Sequence, residues 1–304
     1  MSLVERLPRR VTVVEVGPRD GLQNEPEIVP TEAKIAFVGA LAAAGLPIVE
    51  ATSFVSPKAV PQLADAEAVM RGIARRPHPG TRYPVLVPNE RGLQRALEAG
   101  VDAIALFTAA SEEFSQHNVR ASIDETFDRF RPVAEQARAA GLWLRGYVST
   151  AVDCPYSGPV APERAVAVAE RLFALGCQEV ALADTIGTAT PRAVDRLLAL
   201  TESRLGLEQI ALHFHDTGGL ALANVILGLD YGVRVFDAAA GGLGGCPFAP
   251  GAPGNLATEK LLALLEGLGI ETGVERGAVE QAVAELRRAV PGIGLREAPP
   301  RAHL

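Results

Sequence analysis

The sequence predicts an α/β fold of the (β/α)₈ TIM-barrel type with extra C-terminal helices, and three observations carry that expectation. Eight short runs rich in Val, Ile and Leu alternate with longer helical stretches along the chain. Glycines stand where helices hand over to the next strand. Unusual polar residues gather at the C-terminal ends of the apolar runs, the end of a barrel where functional loops collect. A doubly wound open sheet is the competing architecture, and it usually shows a phosphate loop after strand one. Here that stretch reads GPRDGLQNE, with no GxGxxG spacing.

Strands are expected at 11–16 (VTVVEV), 46–50 (LPIVE), 83–87 (YPVLV), 101–107 (VDAIALF), 142–148 (LWLRGYV), 178–183 (QEVALA), 209–215 (QIALHFH) and 233–239 (VRVFDAA). Helices are expected near 31–44, 60–75, 90–99, 122–140, 162–175, 191–204 and 217–231, with two more near 255–268 and 276–289. Thr31 followed by Glu32 suits a helix N-terminus, where a negative side chain meets the positive end of the helix dipole. Gly45, Gly100, Gly141, Gly176 and Gly232 fall at helix-to-strand junctions, where a left-handed cap costs glycine little. No linker, repeat or low-complexity segment divides the chain, so residues 1–304 are expected to form one catalytic domain.

Composition narrows the function classes. The 304 residues are 48% hydrophobic but only 5% aromatic, a length and content suited to one large aliphatic α/β core. A net charge of −7, without runs of like sign, disfavours nucleic acid and anionic membrane as partners. Cys154, Cys177 and Cys246 form no CxxC pair, which suits a reducing cytoplasmic compartment. The N-terminal MSLVERLPRR lacks the order of a secretory signal, and no apolar stretch approaches the roughly 18 residues of a membrane span.

The strongest chemical signal is His213-Phe214-His215 at the end of the seventh expected strand. Period-two alternation puts both imidazoles on one face, toward the barrel interior. They can be satisfied core histidines or half of a metal site. Asp20 would add an anionic oxygen and Asn255 a neutral carbonyl oxygen. Two nitrogens and two oxygens, with positions left open and no thiolate, suit Mg²⁺, Mn²⁺ or Co²⁺, and Zn²⁺ also fits.

Other polar residues share that end of the expected barrel. Arg19 sits beside Asp20, as a simple ion pair or as a donor toward an enolate oxygen. Glu50 ends the second strand, Arg145 lies in the fifth and Asp184 ends the sixth. Asp184 can instead cap the helix near Pro191 or orient its neighbours. The stretch GGLGGCPFAPGAPGN (241–255) surrounds Cys246 with glycines. It is expected to be a mobile loop that brings a thiol acid/base to the site. Cys154 and Cys177 read as packing residues.

Seven stretches together resemble the 3-hydroxy-3-methylglutaryl-CoA lyase family: VGPRDGLQNE (16–25), TSFVSPKAVPQLAD (52–65), RGYVST (145–150), LADTIGTATP (182–191), HFHD (213–216), ALAN (221–224) and GGLGGCPFAPGAPGN (241–255). The resemblance runs from about residue 11 to 270. It implies a barrel enzyme that uses a divalent metal, Mg²⁺ or Mn²⁺, to split an acyl-CoA substrate into acetyl-CoA and acetoacetate. It implies Asp20, His213, His215 and Asn255 as metal ligands, Arg19 as the enolate-stabilising arginine and Cys246 as the loop cysteine. Glu50, Asp184 and Arg145 would support the pocket, with Arg19, Gln23 and Arg145 contacting substrate. A homodimer or higher homo-oligomer is expected.

The chain departs from that family's pattern at Gly218-Gly219-Leu220, Ser157 and Ala51, none of which is an expected metal ligand. A paralogue acting on a related 3-hydroxyacyl-CoA is therefore the first alternative. A metal-dependent barrel hydrolase also uses His-x-His, but on strand one and with further histidines, whereas His78, His117 and His303 end no expected strand. A Schiff-base aldolase needs a strand lysine. Lys34, Lys58 and Lys260 fall in helices or a loop.

Overall fold

The computed structural model describes residues 3–244 and 254–294. Its main sheet is parallel throughout, and its helices lie between successive strands. The strand segments are β1 (Thr12–Glu15), β2 (Ile48–Val49), β3 (Thr52–Ser53), β4 (Val85–Leu86), β5 (Ala103–Ala109), β6 (Trp143–Ser149), β9 (Glu179–Asp184), β10 (Ile210–Phe214) and β11 (Val235–Ala238). A two-stranded antiparallel hairpin, β7 (Asp153–Cys154) and β8 (Gly158–Pro159), stands apart from it.

The strand order is β2-β1-β11-β10-β9-β6-β5-β4-β3, and its two ends belong to one stretch of chain. Residues 48–53 form a single strand interrupted at Glu50 and Ala51. Glu50 N donates to Glu15 O at 2.8 Å on one side, and Ala51 N donates to Pro84 O at 3.0 Å on the other. The sheet thus closes on itself as an eight-stranded barrel, and the expected architecture holds.

Helices α2 (Thr31–Ala43), α3 (Ala66–Ala74), α4 (Glu90–Glu98), α6 (Ile123–Ala139), α7 (Pro162–Leu175), α8 (Pro191–Leu205), α9 (Ala221–Asp230) and α10 (Thr258–Gly267) follow the barrel strands; α1 (Leu3–Arg6) precedes them and α11 (Arg276–Ala289) follows. Helix α5 (Glu112–Val119) was not expected from the sequence. It is capped by Ser111, whose Oγ accepts from Phe114 N. The expected helix at 60–75 divides into a 3₁₀ turn (Pro61–Leu63) and α3, and the one at 217–231 begins only at Ala221. Helix α11 closes the outer ring against α2. Gly45, at φ +97°, makes the junction there, because a Cβ would run into the carbonyl oxygen of Gly273.

Two layers of core follow from strand alternation. Outward side chains such as Val13, Leu144, Leu182 and Leu212 pack under the helices. A separate inner cluster holds Leu86, Ala105, Tyr147, Ala181 and Ala211. Its alanines lie in register beside Arg145 (Ala105) and Tyr147 (Ala181). Their small volume leaves the lumen room for two long polar side chains. Among the described residues no helix is long and apolar enough to cross a membrane.

Candidate active site

Asp20 is delivered by an unusual piece of backbone. Residues Gly17–Gly21 make a π-helical turn after β1, in which the Val16 carbonyl accepts from the amides of Arg19, Asp20 and Gly21. The turn aims Arg19 and Asp20 into the mouth of the barrel. His213 arrives on β10 and His215 immediately after it, bridged to Asn255 on the returning chain. The imidazole centroids lie 5.3 Å apart.

One ligand atom from each of Asp20, His213 and His215 falls within 4.8 Å of the others, so the three form a candidate metal site. Two neighbouring atoms support the fit. Among the described residues, His215 Nδ1 and Asn255 Oδ1 are buried and find no hydrogen-bond partner, a costly state for polar atoms that a cation would relieve. Asn255 is held in place by its amide, which donates to Asp20 Oδ2 at 2.8 Å and Leu243 O at 3.1 Å.

The charges around this point are tightly organised. Arg19 Nη1 donates to Asp20 Oδ1 at 2.6 Å, while Nε and Nη2 both reach Glu50 Oε2, at 2.8 and 2.7 Å. Gln23 Nε2 also donates to Asp20 Oδ1, at 3.2 Å. Burial alone would raise the Asp20 pKa, but Arg19 and the two imidazoles outweigh it and hold the carboxyl down to about 2. Burial, then the neighbouring His213, depresses His215 to about 4, so its ring is neutral at physiological pH. His213 goes the other way: burial pulls its pKa down, but the hydrogen bond and charge of Asp237 push it up further. Glu50 is raised by burial despite Arg19, and its Oε1 has no hydrogen-bond partner among the described residues.

The remaining sequence-derived candidates fall in different places. Arg145 was expected to contact substrate. It has no exposed surface, and Nε, Nη1 and Nη2 are all spent on protein groups: Glu179 at 2.6 Å, Tyr147 Oη at 2.5 Å and Asp237 at 2.6 and 3.0 Å. Every guanidinium nitrogen of Arg145 thus has a protein partner inside the barrel. Asp184 accepts from Gly187 N, Thr188 N and Ala189 N, which folds the loop after β9, and burial raises it to about 6. It does not cap α8, whose N-terminus is capped by Thr190, and it is not part of the three-residue cluster. Cys246 lies outside the described residues.

Sequence reasoning missed Tyr147 and Asp237. Tyr147 Oη donates to Glu50 Oε2 at 3.1 Å, and His213 Nδ1 lies 3.2 Å from Asp237 Oδ2. With Arg145 they complete a buried chain of contacts that runs from Asp20 through Arg19, Glu50, Tyr147, Arg145 and Asp237 to His213. The signal for Tyr147 was present: it stands two residues after Arg145, on the same face of the strand. Asp237 likewise is an acid inside an apolar strand, VFDA.

Comparisons with known proteins agree with this geometry. The HMGL-like family model matches residues 10–286. The chain is 50% identical over 289 residues to the mitochondrial hydroxymethylglutaryl-CoA lyase of Bos taurus, covering 95% of this chain and 88% of that one. The crystal structure of hydroxymethylglutaryl-CoA lyase from Pseudomonas aeruginosa superposes with a TM-score of 0.93 at 47% identity, covering 97% of each chain. An HMG-CoA lyase from Acenitobacter baumannii, solved in complex with coenzyme A and 3-methylmalate, gives a TM-score of 0.88 at 39% identity, with 96% of this chain and 94% of that one covered. The matched span holds the π-turn, both histidines and Asn255, and on these grounds the chain belongs to the HMGL-like family, alongside the hydroxymethylglutaryl-CoA lyases, and is a carbon–carbon lyase.

Proposed function

We propose that this chain cleaves 3-hydroxy-3-methylglutaryl-CoA to acetyl-CoA and acetoacetate at the Asp20–His213–His215 cluster, with Mg²⁺ or Mn²⁺ held there. The observation that carries this reading is the convergence of three ligand side chains on one point beside a buried guanidinium. Asn255, through its unpartnered Oδ1, would be the fourth protein ligand. A bound divalent cation supplies Lewis acidity that lowers the pKa of the substrate's tertiary hydroxyl. The acyl-CoA class of substrate is supported by the coenzyme A complex of the Acenitobacter relative.

The chain's own residues account for the remaining chemistry. The hydroxyl proton is assigned to Asp20, whose carboxyl is ionised; the His213 ring gives its one lone pair to the cation and has none left to accept it. As that oxygen becomes the ketone of acetoacetate, the bond to the acetyl-CoA carbon breaks and its electron pair moves onto the thioester as an enolate. Arg19 is 6% exposed and fixed by Glu50 and Asp20, so its charge meets the enolate oxygen in a water-poor site. Such a preorganised donor is worth roughly 3 kcal/mol in the transition state. Cys246, on the glycine-rich stretch, is assigned the proton that converts the enolate to acetyl-CoA. Gln23 holds Asp20 at the rim of the site, where it can also meet substrate.

A panel of 3-hydroxyacyl-CoA thioesters assayed with Mn²⁺ tests the proposal. The expected result is equimolar acetyl-CoA and acetoacetate from the 3-hydroxy-3-methylglutaryl ester, in preference to the rest. Faster cleavage of another 3-hydroxyacyl ester would replace the substrate with that of a paralogous lyase. Turnover of the Cys246→Ser variant is expected to fall by roughly 10²–10⁴, and near-normal turnover would transfer the proton donation to another group.

A further inference from the structure

His213 has two ring nitrogens, and the cluster can use only one of them. Nδ1 lies 3.2 Å from Asp237 Oδ2. Asp237 has no exposed surface in its side chain and is gripped by Arg145, with Nη2 donating to Oδ1 at 2.6 Å and Nη1 to Oδ2 at 3.0 Å. Arg145 is itself fixed, because Nε donates to Glu179 and Nη1 to Tyr147 Oη. A carboxylate clamped by a two-pronged guanidinium stays ionised and acts only as an acceptor. The imidazole nitrogen facing it must then carry a hydrogen, and in the neutral ring the other nitrogen carries the lone pair. Nothing in the reaction scheme above uses Asp237, and no solvent reaches it.

We propose that Asp237, clamped by Arg145, is the positioning residue that selects the His213 tautomer with hydrogen on Nδ1 and so presents the Nε2 lone pair to the cluster. This assignment rests on reading that cluster as the metal centre, but the tautomer itself is a property of the metal-free chain. The assignment gives the buried Arg145–Asp237 ion pair a role in the barrel. Carboxylates placed behind a ligand imidazole commonly change metal affinity by about 10- to 100-fold when removed.

The test uses full-length, metal-free protein labelled with ¹⁵N at histidine, at a pH where the rings are neutral. The chain has five histidines, so the ring-nitrogen spectra are few enough to assign with a His213 variant. Wild type is expected to show His213 with hydrogen on Nδ1. Asp237→Asn, which keeps the shape and loses the charge, is expected to move population toward the Nε2–H form and to weaken Mn²⁺ binding by roughly 10- to 100-fold in calorimetry. Wild-type His213 with its hydrogen on Nε2 would overturn the proposal, and that arm needs no variant to fold. An Asp237→Asn protein with wild-type tautomer and wild-type Mn²⁺ affinity would overturn it equally. Wild-type protein that binds no Mn²⁺ would instead sink the metal reading, and the tautomer of wild type against Asp237→Asn would still decide the role of Asp237.

Discussion

Arg19 joins the two acidic groups of the cluster's first contacts, Asp20 and Glu50, through three separate nitrogens. A lysine keeps the charge but offers a single ammonium, which cannot hold both carboxylates in that fork. Arg19→Lys is therefore expected to lower kcat by roughly 10²–10³, the range for losing an oxyanion donor, with little change in KM. Steady-state kinetics beside Mn²⁺ calorimetry checks this, and a matching fall in Mn²⁺ affinity would reassign Arg19 to holding Asp20. At this scale the sequence was most informative where residue type and periodicity coincide. His213 and His215 were legible because alternation puts them on one face, and Asp20 because it follows a strand beside an arginine. Arg145 was legible as unusual but not in its role, since sequence does not show that Asp237, 92 positions away, consumes two of its donors. For Asp184 the sequence left helix capping and orienting of neighbours both open, because its partners are backbone amides, which carry no sequence signal.

The elements around the site are tied by a second buried carboxylate. Glu15, on β1, accepts from Gly17 N and Ala240 N through Oε1 and from Thr258 Oγ1 through Oε2, joining the π-turn, the chain after β11 and the start of α10. Burial, against these hydrogen bonds, pushes its pKa up from 4.5 to about 8. Between those values the folded chain keeps a proton that the unfolded chain releases. The stabilisation is complete below 4.5 and is lost as pH rises through about 8, with a slope of up to about 1.4 kcal/mol per pH unit. Glu15→Gln is expected to flatten that decline in urea titrations across the window; an unchanged slope would show that Glu15 is not its source. Gly244 tests the same junction from the other side. Its φ is +92°, and a Cβ there would lie 2.7 Å from Asn255 Nδ2. Gly244→Ala is expected to cost about 1–2 kcal/mol in backbone strain and to weaken Mn²⁺ binding by displacing Asn255, both readable from denaturant midpoints and calorimetry. Element boundaries were less legible than element order. The eight-residue α5 has a weakly patterned sequence, EEFSQHNV, and strand two is broken at Glu50, whose carboxylate turns to Arg19 while its amide serves β1.

Across the whole molecule, the closed sheet brings residues from the first, second, fifth, seventh and eighth strands of the barrel to one lumen, and the buried chain from Asp20 to His213 crosses it. The alternation of strand and helix made that architecture readable in advance, because each strand is followed by enough chain for one crossover helix. The meeting of Asp20, His213 and His215 was readable as well, but the buried chain through Tyr147 and Asp237 was not, because it depends on which lumen positions are alanine and which are long. The cluster at this convergence is proposed to perform the cleavage with a metal. The most direct measurement is turnover of 3-hydroxy-3-methylglutaryl-CoA as Mn²⁺ is added back in steps to chelator-treated protein. The expected result is no cleavage in the metal-free chain, a linear rise to a plateau at one equivalent, and no recovery in His215→Ala. Full turnover by metal-free protein, or full recovery in His215→Ala, would contradict it.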